Sequence, residues 1–350
     1  AKDVLGPPTG LGMMLAAPTI AMHGSPEQIE RFVKPILNGQ SAWCQLFSEP
    51  NAGSDLAGLQ TKAEKDGEEW IINGQKVWTS GGQIADMGML IARTDPDAPK
   101  HRGISYFGFP MQQAGVDVRP LREMTGRAMF NEVFIDDARV GDDALIGDLG
   151  DGWRVANTTL MVERTTLGGG SVPMARANPG QIAGMLDRRV GDLTMRKGGE
   201  DGVPRVGSDL VMWLGEIAEK LGRADDPVVR DRLAHLYSLT EVNRLSGMRA
   251  KNNKNRTGGE GNLAKLAMSE LYRQFREVGN LVIGADGMLD GRSSEIGGGV
   301  VQELTQFSPG PSIYGGTDQV QRNILGERIL GLPKEPGPDK TTPFSELLKN

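Results

Sequence analysis

The sequence contains one cysteine, Cys44, and only three histidines, His23, His101 and His235, in 350 residues. A single cysteine excludes an internal disulfide and is typical of proteins in a reducing compartment. The histidines lie far apart and show no zinc-ligand spacing, which also disfavours a Cys–His nucleophile pair. The sequence therefore predicts no metal site.

Long apolar runs and blocks of positive charge are also missing. No apolar run reaches the ~20 residues that a membrane-spanning helix needs, and the start of the chain shows no signal or transit peptide. The net charge is −6, and the 39 basic residues are spread along the chain. This distribution argues against a dedicated nucleic-acid binder, so we expect neither a nucleic-acid partner nor a membrane span.

Glycine, in contrast, is abundant: 49 of the 350 residues are glycine, about twice the usual share. The glycines follow no Gly-X-Y period, which excludes a collagen. Hydrophobic residues make up 38% and charged residues 24%, as in globular proteins that bury a core. The length predicts two or three domains.

The first segment with a clear pattern is helical. Ser25 and Gln28 form a capping-box arrangement, and an apolar stripe with helical spacing follows as far as Leu37. Pro35 is expected to kink the last turn and Gly39 to close it.

The segment 41–147 has the texture of a β domain, because short apolar runs alternate with Gly, Asp, Asn and Pro. Residues 69–78 are interpreted as two strands joined by an Asn73-Gly74 hairpin turn. Further strands are expected at 87–92, 104–109, 116–118 and 133–135. This spacing predicts a small antiparallel barrel or sandwich.

Helical patterns return from Gly152 onward and predict an antiparallel bundle. Their apolar stripes are Leu210–Leu214–Ile217–Leu221, Val229–Leu233–Leu236, Ala264–Ala267–Leu271–Phe275–Val278 and Val320–Ile324. The glycine-rich segment 196–208 is expected to be a mobile loop. A β domain between helical segments is not the βαβ order of a nicotinamide-binding fold, and Gly10-Leu11-Gly12 lacks the third glycine of its fingerprint.

Glu163 is the strongest candidate for chemistry. The segment 153–167 is predicted to be a helix whose apolar face contains Trp153, Ala156, Leu160 and Leu167, and Glu163 shares that face. A desolvated glutamate has a raised pKa, which suits a general base near neutral pH. On the pattern alone, a structural glutamate paired with an arginine such as Arg164 is the commoner arrangement.

Three further segments carry weaker signals. The loop 48–55 can present free N–H groups to phosphate, and residues 77–82 place a tryptophan beside hydroxyls and glycines. Residues 314–322 place two glycines before Thr317, which can cap a helix. Each segment taken alone is more often an ordinary turn.

The order and spacing of these segments together resemble the acyl-CoA dehydrogenase family of flavoenzymes. The matching stretches are 47–55 (FSEPNAGSD), 72–80 (INGQKVWTS) and 312–331 (SIYGGTDQVQRNILGERILG). The resemblance implies an α+β multidomain fold with a central antiparallel β-barrel and a C-terminal four-helix bundle. The N-terminal helical domain is expected to be largely missing, with 1–40 as its remnant, 41–148 as the β domain and 149–350 as the bundle.

The resemblance also implies FAD as the cofactor. The residues expected to bind FAD are Gln45, Leu46, Phe47, Ser48, Ser54, Trp78, Thr79, Ser80, Thr317 and Gln319. Trp78 is expected to cover the flavin ring and Ser80 to reach its N5 region. Ser54, Arg164 and Gly316 are expected to bind the acyl-CoA substrate.

The family's catalytic base occupies one of two positions. In many members it directly precedes the Gly-Thr of the C-terminal motif, where this chain has Gly315. In a second branch, which includes isovaleryl- and long-chain-type enzymes, it stands before an arginine in the first bundle helix, and Glu163-Arg164 matches that arrangement. The resemblance thus implies that Glu163 removes the α-proton and that the Gly315 N–H donates to the thioester carbonyl, with electrons leaving to an electron-transfer flavoprotein.

Two departures from the family pattern leave other assemblies open. The region 218–226 has Lys220 and Arg223 but no phenylalanine for gripping a neighbouring flavin, and Asp286 stands in the glycine-rich segment 283–287. The chain could therefore be a weakly active or structural subunit of a heteromeric acyl-CoA dehydrogenase that shares FAD with an unlike partner. An oxygen-using acyl-CoA oxidase-like enzyme is a further alternative.

The resemblance implies a homo- or hetero-tetramer active in lipid metabolism and β-oxidation. We expect a cytoplasmic protein, or a mitochondrial matrix protein if the source is eukaryotic. Gly168, Gly169 and Gly170 could leave room for a bulky acyl group or allow close helix packing. The pattern does not decide between these two roles.

Overall fold

The structure is a computed structural model that describes residues 10–167, 207–253, 255, 257–289, 296, 299–334, 336 and 341–347. The chain folds into two compact units. The β unit contains the described residues up to Glu163 together with 336 and 341–347, and the helical unit contains those from Arg164 to Lys334. The domain boundaries at 40/41 and 148/149 stay predictions.

The β unit begins with short helical segments. They are a π-helical turn at Gly12–Ala16, α1 (Ala17–His23), α2 (Pro26–Gln28), a π-helical turn at Ile29–Val33 and α3 (Lys34–Leu37). The predicted capping box is present, because the Gln28 amide donates to Ser25 Oγ (3.2 Å) and the Ser25 amide donates to Gln28 Oε1 (3.0 Å). Helix α1 was not predicted, since its sequence is apolar almost throughout and shows no stripe.

Seven strands form one sheet. They are β1 (Trp43–Leu46), β2 (Lys62–Asp66), β3 (Glu69–Lys76), β4 (Met87–Arg93), β5 (Ile104–Pro110), β6 (Val116–Leu121) and β7 (Phe130–Gly141). Their order is β1-β4-β2-β3-β7-β6, with β5 paired to β4. The predicted fold class is confirmed, although the sheet is mixed because β4 runs parallel to β1 and β2.

The predicted Asn73-Gly74 hairpin is wrong. Strand β3 runs through both residues without turning, and the hairpin lies earlier, where β2 pairs with β3 around Gly67. A Cβ on Gly74 would lie 2.4 Å from Thr61 Oγ1 and 2.7 Å from Thr61 Cα. Gly74 is therefore required by the close approach of β2, at an irregularity in the pairing with β7, and not by a turn.

The other α-helices of the described residues are α4 (Gly152–Leu167), α5 (Ser208–Lys220), α6 (Pro227–Asn252), α7 (Glu260–Ile283), α8 (Val300–Phe307) and α9 (Asp318–Ile324), which continues into a π-helical turn at Leu325–Ile329. The predicted stripes lie on α5, α6, α7 and α9, whereas α8 was not predicted. Residues 196–206 and the glycines 168–170 lie outside the described residues. No helix in the described part of the chain is both long and apolar enough to cross a bilayer.

Each unit has its own apolar core. In the β unit, strand β4 alternates: Met89 and Ile91 pack with the N-terminal helices and α4, while Leu90 and Ala92 pack on the opposite face of the sheet. This alternation is the period-2 pattern of a strand buried on both faces. In the helical unit, one cluster joins residues of α5, α6, α7 and α8.

Candidate active site

Glu163 lies on helix α4, whose N-terminal end is packed tightly against the sheet. A Cβ on Gly152, at the start of the helix, would lie 2.4 Å from the backbone of Ser105 in β5, so the helix begins directly against the sheet. The buried face then continues through Ala156 and Thr159, both fully buried. Glu163 follows Thr159 by one turn and is half-buried, so it lies where the fully buried face of the helix ends.

Hydrogen bonds fix the orientation of α4 within the β unit. Thr159 Oγ1 lies 3.0 Å from Thr19 Oγ1 on α1 and 3.3 Å from the Tyr106 hydroxyl on β5. His23 Nε2 lies 2.7 Å from Thr158 Oγ1. Burial, followed by the charge of Arg154, lowers the pKa of His23, so the neutral ring is favoured here.

Gln45 on β1 lies next to the candidate base. Its Nε2 donates to Glu163 Oε2 over 3.5 Å, at the outer limit of a hydrogen bond. The side chains of Leu46 and Phe47, which follow it, are buried in the apolar clusters on the two faces of the sheet, so these two residues can offer a ligand only backbone atoms. Ser48 is half-buried and Ser54 is exposed on the loop that follows.

Trp78 has an unusual backbone conformation at the end of β3. Its φ is 61°, in the left-handed region that bulky residues rarely adopt, and its side chain is 61% exposed beside Phe130 (ring centroids 5.8 Å apart). Backbone strain of this kind costs about 1–3 kcal/mol and is concentrated at functional sites. The sequence motif indicates Trp78 as a site residue but carries no signal for its backbone conformation.

Thr79 and Ser80 continue this segment. Thr79 exchanges two backbone hydrogen bonds of 3.0 Å with Asn131 of β7. Its Oγ1 is buried and has no hydrogen-bond partner within the described ranges. Ser80 is half-buried, and the Val77 amide donates to the Ser48 carbonyl (2.9 Å). The structure therefore brings the Ser48 and Trp78–Ser80 segments together.

A buried ion pair lies beneath these segments. Lys76 Nζ donates to Glu49 Oε1 (2.8 Å) and to the Phe47 carbonyl (3.0 Å), and the Glu49 carboxylate also accepts from the amides of Gln60 (2.7 Å) and Thr61 (2.9 Å). Burial opposes the charge of Glu49, but Lys76 and the amide donors outweigh it, so the pKa of Glu49 is lowered. Burial also lowers the pKa of Lys76 despite its partner.

Arg93 of β4 supports the same loop from the other side. Its guanidinium donates to the carbonyls of Ala57 (2.6 Å) and Lys100 (2.7 Å), and the Phe344 ring lies 3.6 Å from it. Burial lowers the pKa of Arg93 to about 10. Neither Lys76 nor Arg93 was predicted from the sequence, although Lys76 shares the period-2 register of the buried Trp70 and Ile72.

In the helical unit, Gly315 and Gly316 form a left-handed turn with φ of 62° and 80°. Thr317 then caps α9, because its Oγ1 accepts from the Val320 amide (3.2 Å). Gln321 Nε2 donates to the Gly315 carbonyl (2.7 Å) and fixes that peptide. Gln319, the other residue predicted at the adenosine end of FAD, is exposed.

A second ion network holds this turn. Asp318 accepts from Lys265 Nζ (3.3 Å) and from Arg273 (2.9 Å), and both Lys265 and Asp318 are buried. Burial raises the pKa of Asp318, but the bonds from Arg273 and Lys265 outweigh it and the net shift is downward. Arg164 belongs to this unit, and its Cβ lies 3.5 Å from the position that a Cβ on Gly261 would take.

Comparisons with known proteins agree with this geometry. The model of the acyl-CoA dehydrogenase middle domain matches residues 44–138, and that of the acyl-CoA dehydrogenase C-terminal domain matches residues 211–330. Acyl-CoA dehydrogenase IpdE1 of Mycobacterium tuberculosis is 38% identical over 93% of this chain and 75% of its own length. The chain belongs to the acyl-CoA dehydrogenase family.

Two solved structures also resemble the chain. The Tcur3481-Tcur3483 steroid ACAD has a TM-score of 0.74 at 27% identity, over 92% of this chain and 76% of that one. The ChsE4-ChsE5 complex from Mycobacterium tuberculosis has a TM-score of 0.68 at 29% identity, over 93% and 77%. The predicted family, oxidoreductase class and FAD cofactor are confirmed.

The residues of the β unit fit a flavin ring. Thr79 Oγ1 is a buried polar atom whose hydrogen bonding is not satisfied by the described residues, and Ser48 and Ser80 are partly accessible beside it. The exposed Trp78 indole offers a flat apolar surface. Hydroxyl groups next to an aromatic plane can bind the polar edge and the face of a planar cofactor. The described residues contain no group of three or more His, Cys, Asp or Glu placed to hold a metal ion.

Arg223, in the region that lacks the family's phenylalanine, and Asp286, in the glycine-rich segment, are both engaged within the helical unit. Arg223 donates to the carbonyl of Val282 (3.2 Å) and to that of Leu281 near the end of α7. Asp286 accepts from Gln302 Nε2 through its backbone carbonyl (2.9 Å) and its carboxylate (3.4 Å). Arg223 is thus held by carbonyls of its own chain.

Proposed function

We propose that the protein dehydrogenates an acyl-CoA thioester between its α- and β-carbons, with Glu163 as the base that takes the α-proton. The observation that carries this proposal is the half-buried Glu163 carboxylate beside the Gln45 amide. The other base position of the family is Gly315, which has no side chain to accept a proton. A positioned carboxylate typically contributes 10²–10⁴-fold as a general base.

The other residues would bind and orient. FAD, when bound, supplies the acceptor for the hydride that leaves the β-carbon. Ser48, Trp78, Thr79 and Ser80 would hold the ring, and the Gln45 amide would hold Glu163 Oε2 toward the substrate.

Roles carried only by the family motif are proposed alongside these. Gly315 would donate its N–H to the thioester carbonyl, where negative charge develops. Arg164, Ser54 and Gly316 would contact the CoA, and Thr317 and Gln319 the adenosine of FAD. An electron-transfer flavoprotein would take the electrons. The cytoplasmic or matrix location stays a prediction.

The substrate class is proposed from the named neighbours. One solved relative is called a steroid ACAD. The substrate panel should therefore include CoA thioesters with polycyclic acyl groups as well as those with straight and branched acyl chains. The glycines 168–170, which could make room for such a group, lie outside the described residues.

Anaerobic titration of the natively purified holoprotein with this panel tests the proposal. We expect one thioester class to bleach the flavin absorption of the wild type, and Glu163→Gln to keep its flavin but lose the bleaching. The control Glu30→Gln changes an exposed glutamate in the same unit and should bleach normally. Bleaching of Glu163→Gln at the wild-type rate would contradict the role of Glu163, and peroxide on re-aeration would favour the oxidase alternative.

A heteromeric assembly is a second proposal, favoured by Arg223. Its engagement with the carbonyls of Leu281 and Val282 leaves it poorly placed to grip a neighbour's flavin. Native mass spectrometry after purification from the source distinguishes the assemblies. An unlike subunit of the same family with fewer than one FAD per chain would support the heteromer, whereas a homotetramer with one FAD per chain would contradict it.

A further inference from the structure

The segments assigned to the flavin ring both lie just beyond strands. Ser48 follows β1 and Trp78 follows β3, and these two strands are not neighbours in the sheet. Backbone hydrogen bonds with Asn131 hold Thr79 to β7, but they do not reach Ser48. One backbone hydrogen bond, from the Val77 amide to the Ser48 carbonyl, joins the two segments directly. Their relative position must therefore depend on additional links.

Lys76 provides a side-chain link between the two segments. It is the last residue of β3, two positions before Trp78, and its ammonium donates to the carbonyl of Phe47, one position before Ser48. The same ammonium donates to Glu49, one position after Ser48. A single buried side chain thus holds the residues on both sides of Ser48 against the end of the strand that leads into Trp78.

Glu49 extends this link to the rest of the loop. Its carboxylate accepts from the amides of Gln60 and Thr61, where the loop that contains Ser54 returns to the sheet. An apolar side chain in place of Lys76 would leave the Phe47 carbonyl without this donor and the carboxylate without its buried counter-charge. Replacing Lys76 therefore removes the hydrogen bonds that orient the loop and also leaves a buried charge without its bonded partner.

We propose that Lys76 and Glu49 are positioning residues for FAD, which hold the Ser48 and Trp78–Ser80 segments at the separation that the flavin ring requires. Neither residue is expected to touch the reacting atoms. This inference rests on the proposed function, because it uses the assignment of these two segments to the ring.

The test measures FAD affinity and the flavin spectrum of the full chain in Lys76→Met, Glu49→Gln and the double variant. Measurements are made at a temperature where circular dichroism shows each variant to be folded. We expect Lys76→Met to weaken FAD binding at least tenfold and to shift the visible absorption and circular dichroism of the residual bound flavin. The double variant should bind FAD only slightly more weakly than Lys76→Met does, because both substitutions break the same link. Should Lys76→Met not fold, the nearly isosteric Glu49→Gln carries the same expectation.

Two controls separate positioning from general stability. Ile72→Ala removes buried volume from the same strand, four residues before Lys76, and Arg139→Met removes exposed ion pairs on neighbouring β7. Both should keep the FAD dissociation constant within twofold, although Ile72→Ala lowers the melting temperature. The proposal would be overturned if Ile72→Ala and Lys76→Met weakened FAD binding equally under conditions where both are equally stable. Unchanged FAD binding in Lys76→Met would also overturn it.

The proposed function fails separately. If Trp78→Ala and Ser80→Ala leave both the spectrum and the FAD affinity unchanged, the ring assignment is wrong and the positioning role falls with it. If Lys76→Met weakens FAD binding while Glu163→Gln still bleaches, the base assignment is wrong and the positioning role stands.

Discussion

Among the residues that the structure describes, each unit buries a lysine–carboxylate pair next to a segment of the family motif, and the two pairs are built differently. In the β unit, Glu49 is bonded by Lys76 and by two backbone amides. In the helical unit, Asp318 is bonded by two cations, Lys265 and Arg273. Lys76 is the cation bonded to the first carboxylate, and Arg93 acts on Glu49 through its charge without a hydrogen bond among the described contacts. The second carboxylate keeps a bonded cation, Arg273, if its lysine is lost.

The difference shows how each fold builds a site. Both pairs join residues that are distant in sequence, 27 positions apart for Lys76 and Glu49 and 53 positions apart for Lys265 and Asp318. In the sheet, the one lysine also bonds the Phe47 carbonyl and so links two segments. A helix bundle offers several side chains from one helix to the same carboxylate, as Lys265 and Arg273 of α7 do here. We therefore expect the β site to be the more sensitive to single substitutions.

The largest effect is expected from Lys76→Met. Removing one partner of a buried pair leaves a desolvated charge and typically costs about 3–5 kcal/mol of unfolding free energy. The measurement is the denaturation midpoint of the FAD-free protein, monitored with a spectroscopic probe in the β unit. A loss below about 1 kcal/mol would show that Glu49 finds another partner.

A smaller loss is expected from Lys265→Met, about 1–3 kcal/mol, because Asp318 keeps its bond from Arg273. Denaturation of this variant and of Lys265→Met/Arg273→Met gives the comparison. The double variant should lose more than the sum of the two single variants, since only it strips both cations from Asp318. Equal losses for Lys76→Met and Lys265→Met would remove the distinction between the two units.

Helix caps should contribute similar stability in both units, because a cap depends only on residues next to it in the sequence. Asp226 accepts from the amides of Val228 (2.8 Å) and Val229 (3.4 Å) at the start of α6, and Ser25 caps α2. Asp226→Ala and Ser25→Ala should each cost about 1 kcal/mol. Asp226→Asn keeps a capping oxygen and should therefore lose much less unfolding free energy. A loss equal to that of Asp226→Ala would contradict the capping role.

The two carboxylates are expected to contribute to the pH dependence of stability in acid. The pKa values of Glu49 and Asp318 are both lower in the folded chain than in the unfolded one. The unfolded state therefore binds more protons in this range, so the stability that both groups contribute is complete above their unfolded pKa values and is lost as the pH falls through the folded ones. Glu49→Gln and Asp318→Asn should each flatten the acid side of the melting-temperature profile below about pH 5. An unchanged slope would contradict the lowered pKa of that group.

Local signals in the sequence were sufficient for much of the fold. The capping box at Ser25 and the apolar stripes of α5 to α7 depend on residues within a few positions of each other, and the structure confirms them. The Asn73-Gly74 prediction failed because the approach of Thr61, a tertiary contact, decides the conformation of Gly74.

The motifs identified the family and FAD, but not what holds the site. The pairing of Lys76 with Glu49 depends on strand register, which a local pattern does not encode. The left-handed Trp78 is likewise imposed by its surroundings, because tryptophan has no preference for that conformation. The position of Gln45 beside Glu163 depends on how α4 packs against β1.

The measurement that tests the central claim most directly is exchange of the substrate α-proton into deuterated water, under anaerobic conditions with a thioester that bleaches the flavin. The wild type should catalyse this exchange, and Glu163→Gln with normal FAD content should catalyse it about 10²–10⁴-fold more slowly, because the base that removes the proton is gone. Exchange by Glu163→Gln at the wild-type rate would contradict the account and assign the base to another residue.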